Sequence, residues 1–339
     1  MPHLPRAVLA LTATLFVLLG AGTASAAIPA GTVSEFSAGL TGSAGLGSLV
    51  AGPDGNLWFT EASNNAIGRM APDGSGVVEF TIGITAGSAP LGIATGPDGN
   101  LWFTESTGNR IGRITPAGVV TEFSVGITAG AGLSMITAGP DGNLWFTEST
   151  GDRVGRITPA GVVTEFSTGI TSGAQPFGIA AGPDSSLWFT EQGLSQIGRI
   201  STLGVVTEFA AGITTSSSPR GIARGADGEM WFAETNVDRI AHFSPFGPFN
   251  VTEVPVTPGA APTNVAAGPD GNMWFTASGN NRVGRIGPSG AFTPFTTGIT
   301  AGSSPHAITA GPDGNLWFSE GAGNRIARIG SGVDVLVRA

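Results

Sequence analysis

Pro90-Leu91-Gly92-Ile93-Ala94-Thr95-Gly96-Pro97-Asp98-Gly99-Asn100-Leu101-Trp102-Phe103-Thr104-Glu105 is the stretch that decides the fold. Two short apolar runs, residues 92–95 and 101–105, flank a Pro-Asp-Gly-Asn turn. Asp and Gly tolerate the positive φ of tight hairpins, so the pair predicts an antiparallel hairpin. A Gly108-Asn109 turn then leads to a third strand at 110–114, and Pro116-Ala117-Gly118 to a fourth at 119–123. Helical periodicity is absent after the N-terminal segment.

The unit recurs along the chain. The tryptophans Trp58, Trp102, Trp145, Trp188, Trp231, Trp274 and Trp317 are spaced 44, 43, 43, 43, 43 and 43 residues apart, and each is followed by Phe. A period of about 40–45 residues with four short strands per unit is that of a propeller blade. The chain therefore reads as all-β, a seven-bladed β-propeller with four antiparallel strands per blade. Thr32-Val33-Ser34-Glu35-Phe36 resembles a fourth strand lying before the first Trp. Residues 32–36 are expected to pair in the blade of Trp317, the N-terminal strand closing the last blade. A fourth strand at 333–337 is also expected there, so that one of the two is the outer edge.

Composition fits this reading. The 339 residues include 55 Gly and 23 Pro, while 41% hydrophobic content excludes a disordered chain. Cys, Tyr and Lys are absent, which removes disulfides, thiol nucleophiles and Schiff-base lysines. A net charge of −9 argues against a nucleic-acid surface. Residues 1–26 read as a secretory signal: Arg6, an uncharged apolar run over 7–19, and an Ala24-Ser25-Ala26 cleavage site. The run is short for a transmembrane helix, an uncleaved anchor being the alternative. Residues 27–339 are expected to form a single propeller domain, secreted, monomeric and without a membrane span once the signal is removed.

Comparison of the seven copies separates scaffold from surface. Glu stands three residues after Trp in six copies: Glu61, Glu105, Glu148, Glu191, Glu234 and Glu320, with Ala277 in the other. An acidic catalytic ring is one reading. Repetition favours the other, a buried ion pair with the Arg eleven residues after Trp (Arg69, Arg113, Arg156, Arg199, Arg285 and Arg328). His242 takes that Arg's slot in the fifth copy. The turn Asp recurs in all copies, and turn chemistry accounts for it without calcium. Glu79, Glu122, Glu165, Glu208 and Glu253 fall on the fourth strand, where charge blunts edge pairing.

The variable column lies eleven residues before Trp: Gly47, Leu91, Ser134, Phe177, Arg220, Thr263 and His306. It opens the innermost strand, so these residues should ring one mouth of the central channel. A variable ring on a rigid scaffold is where binding chemistry is written. Arg220, with Arg224 in the same copy, suits an anionic or carbonyl-bearing ligand, with Phe177 and Leu91 beside it. Pairing of Arg220 with local acids is the competing reading.

The segments Gly-Pro-Asp-Gly-Asn-Leu-Trp-Phe-Thr-Glu, Asn-Arg-Ile-Gly-Arg-Ile-Thr and Val-Val-Thr-Glu-Phe resemble the repeats of the virginiamycin B lyase family, over essentially the whole chain after the signal. That resemblance implies a seven-bladed propeller and a Mg²⁺-dependent elimination that opens the ester ring of type B streptogramins. Such a reaction needs a base for the proton α to a carbonyl and a metal to polarise the ester. The family's Pro-His-Ala-Ile stretch matches Ser304-Pro305-His306-Ala307-Ile308. Its Glu-Pro-His-Gly-Ile stretch, with a metal-binding Glu and the basic His, should follow on the next blade. Gly45-Leu46-Gly47-Ser48-Leu49 stands there instead, leaving Glu61 as the remaining metal ligand the resemblance offers. Two functions follow: a streptogramin lyase using His306, Arg220 and Mg²⁺ near Glu61, or a non-catalytic propeller binding a small molecule, glycan or peptide at the same mouth.

Overall fold

A computed structural model describes residues 27–333. Each Trp repeat forms one four-stranded antiparallel sheet, and there are seven sheets. In blade 2, the blade of Trp102, the strands are Pro90–Thr95, Leu101–Glu105, Arg110–Ile114 and Val120–Phe123. The one helical element among the described residues is a single 3₁₀ turn, Thr235–Val237.

Closure is as the sequence predicts. Val33–Phe36 pairs antiparallel with Arg325–Ile329 and completes the blade of Trp317, blade 7. The ring is thereby fastened by a strand from the other end of the chain. The signal at 1–26 and residues 334–337 of the further strand expected at 333–337 lie outside the described residues, and Val333 itself is not in a strand.

The turn Asp builds each blade from within. Asp98 Oδ1 accepts from Asn100 N at 3.2 Å and from Trp102 Nε1 at 3.0 Å, while Gly99 sits at φ +74°. A short polar side chain thus fixes the hairpin and satisfies a buried indole donor. Trp102 stacks on Phe123 with centroids 5.5 Å apart, and the Arg113 guanidinium lies over both rings at 5.5 and 5.6 Å. Arg113 also donates to Pro159 O of the next blade at 3.1 Å. His242 fills the same slot in blade 5, stacked 4.1 Å from Trp231 and bonded through Nδ1 to Glu229.

The core lies between blades. Trp102 and Ile111 of blade 2 pack with Leu133, Leu144, Phe146 and Ile157 of blade 3. Trp317 and Ile326 of blade 7 pack with Leu49, Phe59 and Met70 of blade 1, so the apolar ring has no break at the closure. Truncating one such ring to Ala costs ~3–5 kcal/mol.

The expected ion pair between the Glu three and the Arg eleven residues after Trp does not form. Antiparallel register sets Trp102 opposite Arg113, at the end beside the Pro-Asp-Gly-Asn turn, and Glu105 opposite Arg110, at the end beside the Gly108-Asn109 turn. Arg69, Arg156, Arg199, Arg285 and Arg328 therefore pair with the turn carboxylates Asp54, Asp141, Asp184, Asp270 and Asp313. The inner Glu meets the Arg eight residues after Trp in three blades, as Glu105–Arg110, Glu148–Arg153 and Glu320–Arg325, while in blade 5 Arg239 pairs with the outer Glu253 instead.

The fourth-strand Glu does more than blunt an edge. Glu122 accepts from both the N–H and the hydroxyl of Thr85, in the crossover entering its blade. Glu35, Glu79, Glu165, Glu208 and Glu253 clamp Thr300, Thr41, Thr128, Thr171 and Thr214 in the same way. Six crossovers are thus held by bidentate, charge-assisted bonds.

Candidate functional site

A second ring of hydroxyls fixes the backbone of the mouth. Thr60, Thr104, Thr147, Thr190, Thr276 and Ser319 donate to the carbonyls of Leu91, Ser134, Phe177, Arg220, His306 and Gly47, each on the following blade. The main chain of the variable column is therefore held in register whatever side chain it carries. Ala233 breaks the series in blade 5, and Thr235 Oγ1 donates to Pro262 O instead, at 2.7 Å.

On this frame the seven side chains differ in what they leave open. Thr263 is buried and donates to His306 O at 2.9 Å, and Ser134 is buried. Leu91, Phe177, Arg220 and His306 are half-buried. The Arg220 guanidinium lies 5.3 Å from the centroid of Phe177, one blade back. Arg220 makes no ion pair among the described residues, and its Nε is buried without a partner. His306 Nδ1 is likewise buried and unpartnered. Burial, and then the Arg220 charge, push the His306 imidazole below its usual pKa, so it is neutral at pH 7. Blades 4, 5 and 7 thus bring together an aromatic face, a fixed cation and a neutral imidazole.

Arg224 is not part of this group. Arg220 opens and Arg224 ends the same strand, Pro219–Arg224, which separates their backbones by about 13 Å at ~3.3 Å per residue. Arg224 instead lines a shaft of about 380 Å³ at the opposite end, among Ile93, Ile136, Ile179, Ile222 and Ile308. One cation on an apolar shaft and one at a polar mouth are two separate features.

Glu61 is fully buried. Its Oε2 accepts from Asn64 Nδ2 at 3.1 Å, and burial, opposed by Asn64 and reinforced by Glu79, pushes its carboxyl up to about 7. It belongs to the six-fold set of inner carboxyls, each facing a fourth-strand Glu. The Mg²⁺ that the resemblance implies does not fit the residues present. Gly45 sits at φ +66°, and a Cβ there would lie 2.4 Å from Ser63 Oγ and 2.9 Å from Ser63 N. The same slot carries Ala89, Gln175, Ser218, Ala261 and Ser304 at φ 42–56° in other blades, so what Gly45 lacks is the carboxylate itself. Gly47, at the implied base, has no side chain to accept a proton. Of the metal ligands the resemblance implies, only Glu61 is then present, and one carboxylate does not make the oxygen-rich shell that a divalent cation takes. Among the described residues no group of three or more His, Asp or Glu is placed to hold a metal.

Fold and mouth together define a seven-bladed propeller with a rigid scaffold and one variable polar rim. The virginiamycin B lyase family model matches residues 12–213 and 211–336. A streptogramin B lyase structure superposes with a TM-score of 0.81 at 31% identity, over 88% of this chain and 96% of that one. Virginiamycin B lyase from Staphylococcus aureus gives 0.80 at 32% identity, over 88% and 99%. A catalytically inactive variant of the S. aureus enzyme, crystallised with quinupristin, gives 0.81 at 31%, over the same shares. A comparison with curated proteins found no match. The chain belongs to the virginiamycin B lyase family.

The site residues were only partly separable in the sequence. The column eleven residues before Trp marks the mouth, but stacking of Arg220 on Phe177 depends on side-chain direction across blades. The split between Arg220 and Arg224 was available in the strand length alone.

Proposed function

We propose that this family member is a secreted, non-catalytic propeller that binds an anionic or carbonyl-bearing small molecule or peptide at the mouth formed by Phe177, Arg220 and His306. The observation that carries the reading is the pairing of loss and gain at one rim. Glycines, with no side chain to bind a metal or take a proton, occupy the implied base and metal positions, while Arg220 Nε and His306 Nδ1 are buried and lack partners. Buried polar atoms without partners are costly in isolation, and a ligand that bonds to them recovers that cost. A guanidinium braced on an aromatic face suits a carboxylate or carbonyl. The signal-like segment at 1–26 supports an extracellular site of action.

Thermal-shift screening of the mature chain against carboxylate-bearing small molecules and peptides, without Mg²⁺, tests the reading. Ligands whose shift is abolished in Arg220→Ala and reduced in His306→Ala support it. Shifts retained in both variants overturn it.

The lyase reading keeps one observation in its favour, the family match along nearly the whole chain. On that reading neutral His306 is the available base and Arg220 the electrophile, without a metal.

A further inference from the structure

Blade 6, the blade of Trp274, breaks the carboxylate scheme of the other six. Ala277 stands where they carry the inner Glu, and Pro294 where they carry the outer one. The cation that bridges such pairs elsewhere has stayed. Arg282 occupies the register position of Arg110, Arg153 and Arg325. Each of those lies within 4.0 Å of both an inner and an outer carboxylate. Arg282 has no ion pair among the described residues. Its Nη1 donates to Thr257 Oγ1 at 3.2 Å, and its Nε is buried without a partner.

Asn280 tells the same story from the other side. It is the counterpart of Asn64, whose Nδ2 donates to Glu61 Oε2 at 3.1 Å. In blade 6 that acceptor is missing, and both Nδ2 and Oδ1 of Asn280 are buried with no partner. Asp238, which contacts the same crossover, is committed to the N–H groups of Gly259 and Ala261 at 2.7 and 2.8 Å. A cavity of about 10 Å³ lies among these groups, walled by Val256, Ala260, Phe275 and Phe292. That is room for one particle of about the size of water.

We propose that blade 6 holds one small monovalent anion of chloride size, bound by Arg282 Nε and Asn280 Nδ2 in the space the two missing carboxylates vacate. A half-buried guanidinium without a counter-charge is costly, and neither Ala277 nor Pro294 supplies one. A water molecule satisfies the Asn280 amide but leaves the Arg282 charge uncompensated, which favours an anion. The cavity is about water-sized, so a chloride ion requires its apolar walls to give by a fraction of an ångström, and bulkier oxyanions by more. The ion completes, from solvent, the interaction that blades 2, 3 and 7 encode in sequence.

Bromide is the probe. Crystals of the mature chain soaked in bromide, with data collected at the bromine edge, are expected to show an anomalous peak within hydrogen-bond reach of Arg282 Nε. At matched ionic strength, Tm is expected to be about 2 °C higher in sodium chloride than in sodium gluconate. Ala277→Glu supplies the missing carboxylate and should remove both effects. Arg282→Gln, which copies Gln196 of blade 4, should do the same and covers the case in which Ala277→Glu fails to fold. A cavity that holds only water, with equal Tm in the two salts, overturns the proposal.

Discussion

The guanidinium of Arg220 rests over the ring of Phe177, 5.3 Å from its centroid, so that the side chain of one blade is the floor for the cation of the next. A cation held this way loses little rotamer freedom when it meets a carboxylate, and its planar fork is presented to the channel mouth. For any carboxylate ligand of the mouth, Arg220→Ala should weaken binding by about 10- to 100-fold, the range of a charge-assisted hydrogen bond. Phe177→Ala should weaken it about two- to five-fold, the range of an exposed cation–π contact. Arg220→Lys should restore only part of the loss. Titration calorimetry on the three variants reads these ratios.

Stability should decline as pH rises from acid to alkaline. Burial lifts the carboxyls of Glu61 and Glu148 to about 7, of Glu105, Glu234 and Glu320 to about 8, and of Glu191 to about 9. A folded-state pKa above the unfolded value means that the native chain holds more protons. The stability these groups contribute is full below about pH 4.5 and is lost as pH climbs through 7 to 9. Asp54, Asp98, Asp141, Glu35 and Glu122 are shifted down and act in the opposite sense, losing their contribution only as pH falls below the usual carboxylate range. Tm is therefore expected to peak on the acid side of neutrality and to fall towards pH 9, as differential scanning calorimetry would record.

Glu191→Gln isolates that effect in one blade. Glu191 is raised by burial and then by the charge of Glu208, and it faces Gln196 where five other blades supply Arg. With no guanidinium to offset the second charge, its proton is held most firmly. The amide should leave Tm unchanged at pH 5 and raise it by about 2 °C at pH 9. Equal shifts at both pH values would contradict this origin.

Asp141→Ala should destabilise the fold by ~2 kcal/mol, because it leaves the fully buried Trp145 without the acceptor for its Nε1–H and unties the hairpin. Asp141→Asn keeps an oxygen acceptor and should cost less than half of that. Urea denaturation followed by Trp fluorescence measures both.

How much of this was legible in the sequence depends on whether the information was local or set by register. The Trp ruler gave seven blades, and the match of Thr32-Val33-Ser34-Glu35-Phe36 to a fourth strand gave the closure, because both are patterns along the chain. The partner of the inner Glu is set by register and departs from the sequence expectation. Glu105 and Arg113 are close in sequence but lie at opposite ends of one hairpin. Pairing the strand Leu101–Glu105 with Arg110–Ile114 about their turn would have placed Glu105 against Arg110. The Thr clamps on the outer Glu, and the grouping of Phe177, Arg220 and His306, join different blades and have no one-dimensional signature. Likewise, nothing along the chain links Ala277 to Pro294, which the fold sets on one face of the sheet with Arg282.

The central claim is that the mouth binds without performing the ester-opening reaction of the family. The most direct measurement is incubation of the purified mature chain with a type B streptogramin and Mg²⁺, followed by chromatography and tandem mass spectrometry. Elimination leaves the mass unchanged, so ring opening is read from a new retention time and linear fragmentation. The antibiotic is expected to remain cyclic, as it does without protein. A linear product that forms with the wild-type chain and disappears in His306→Ala would contradict it.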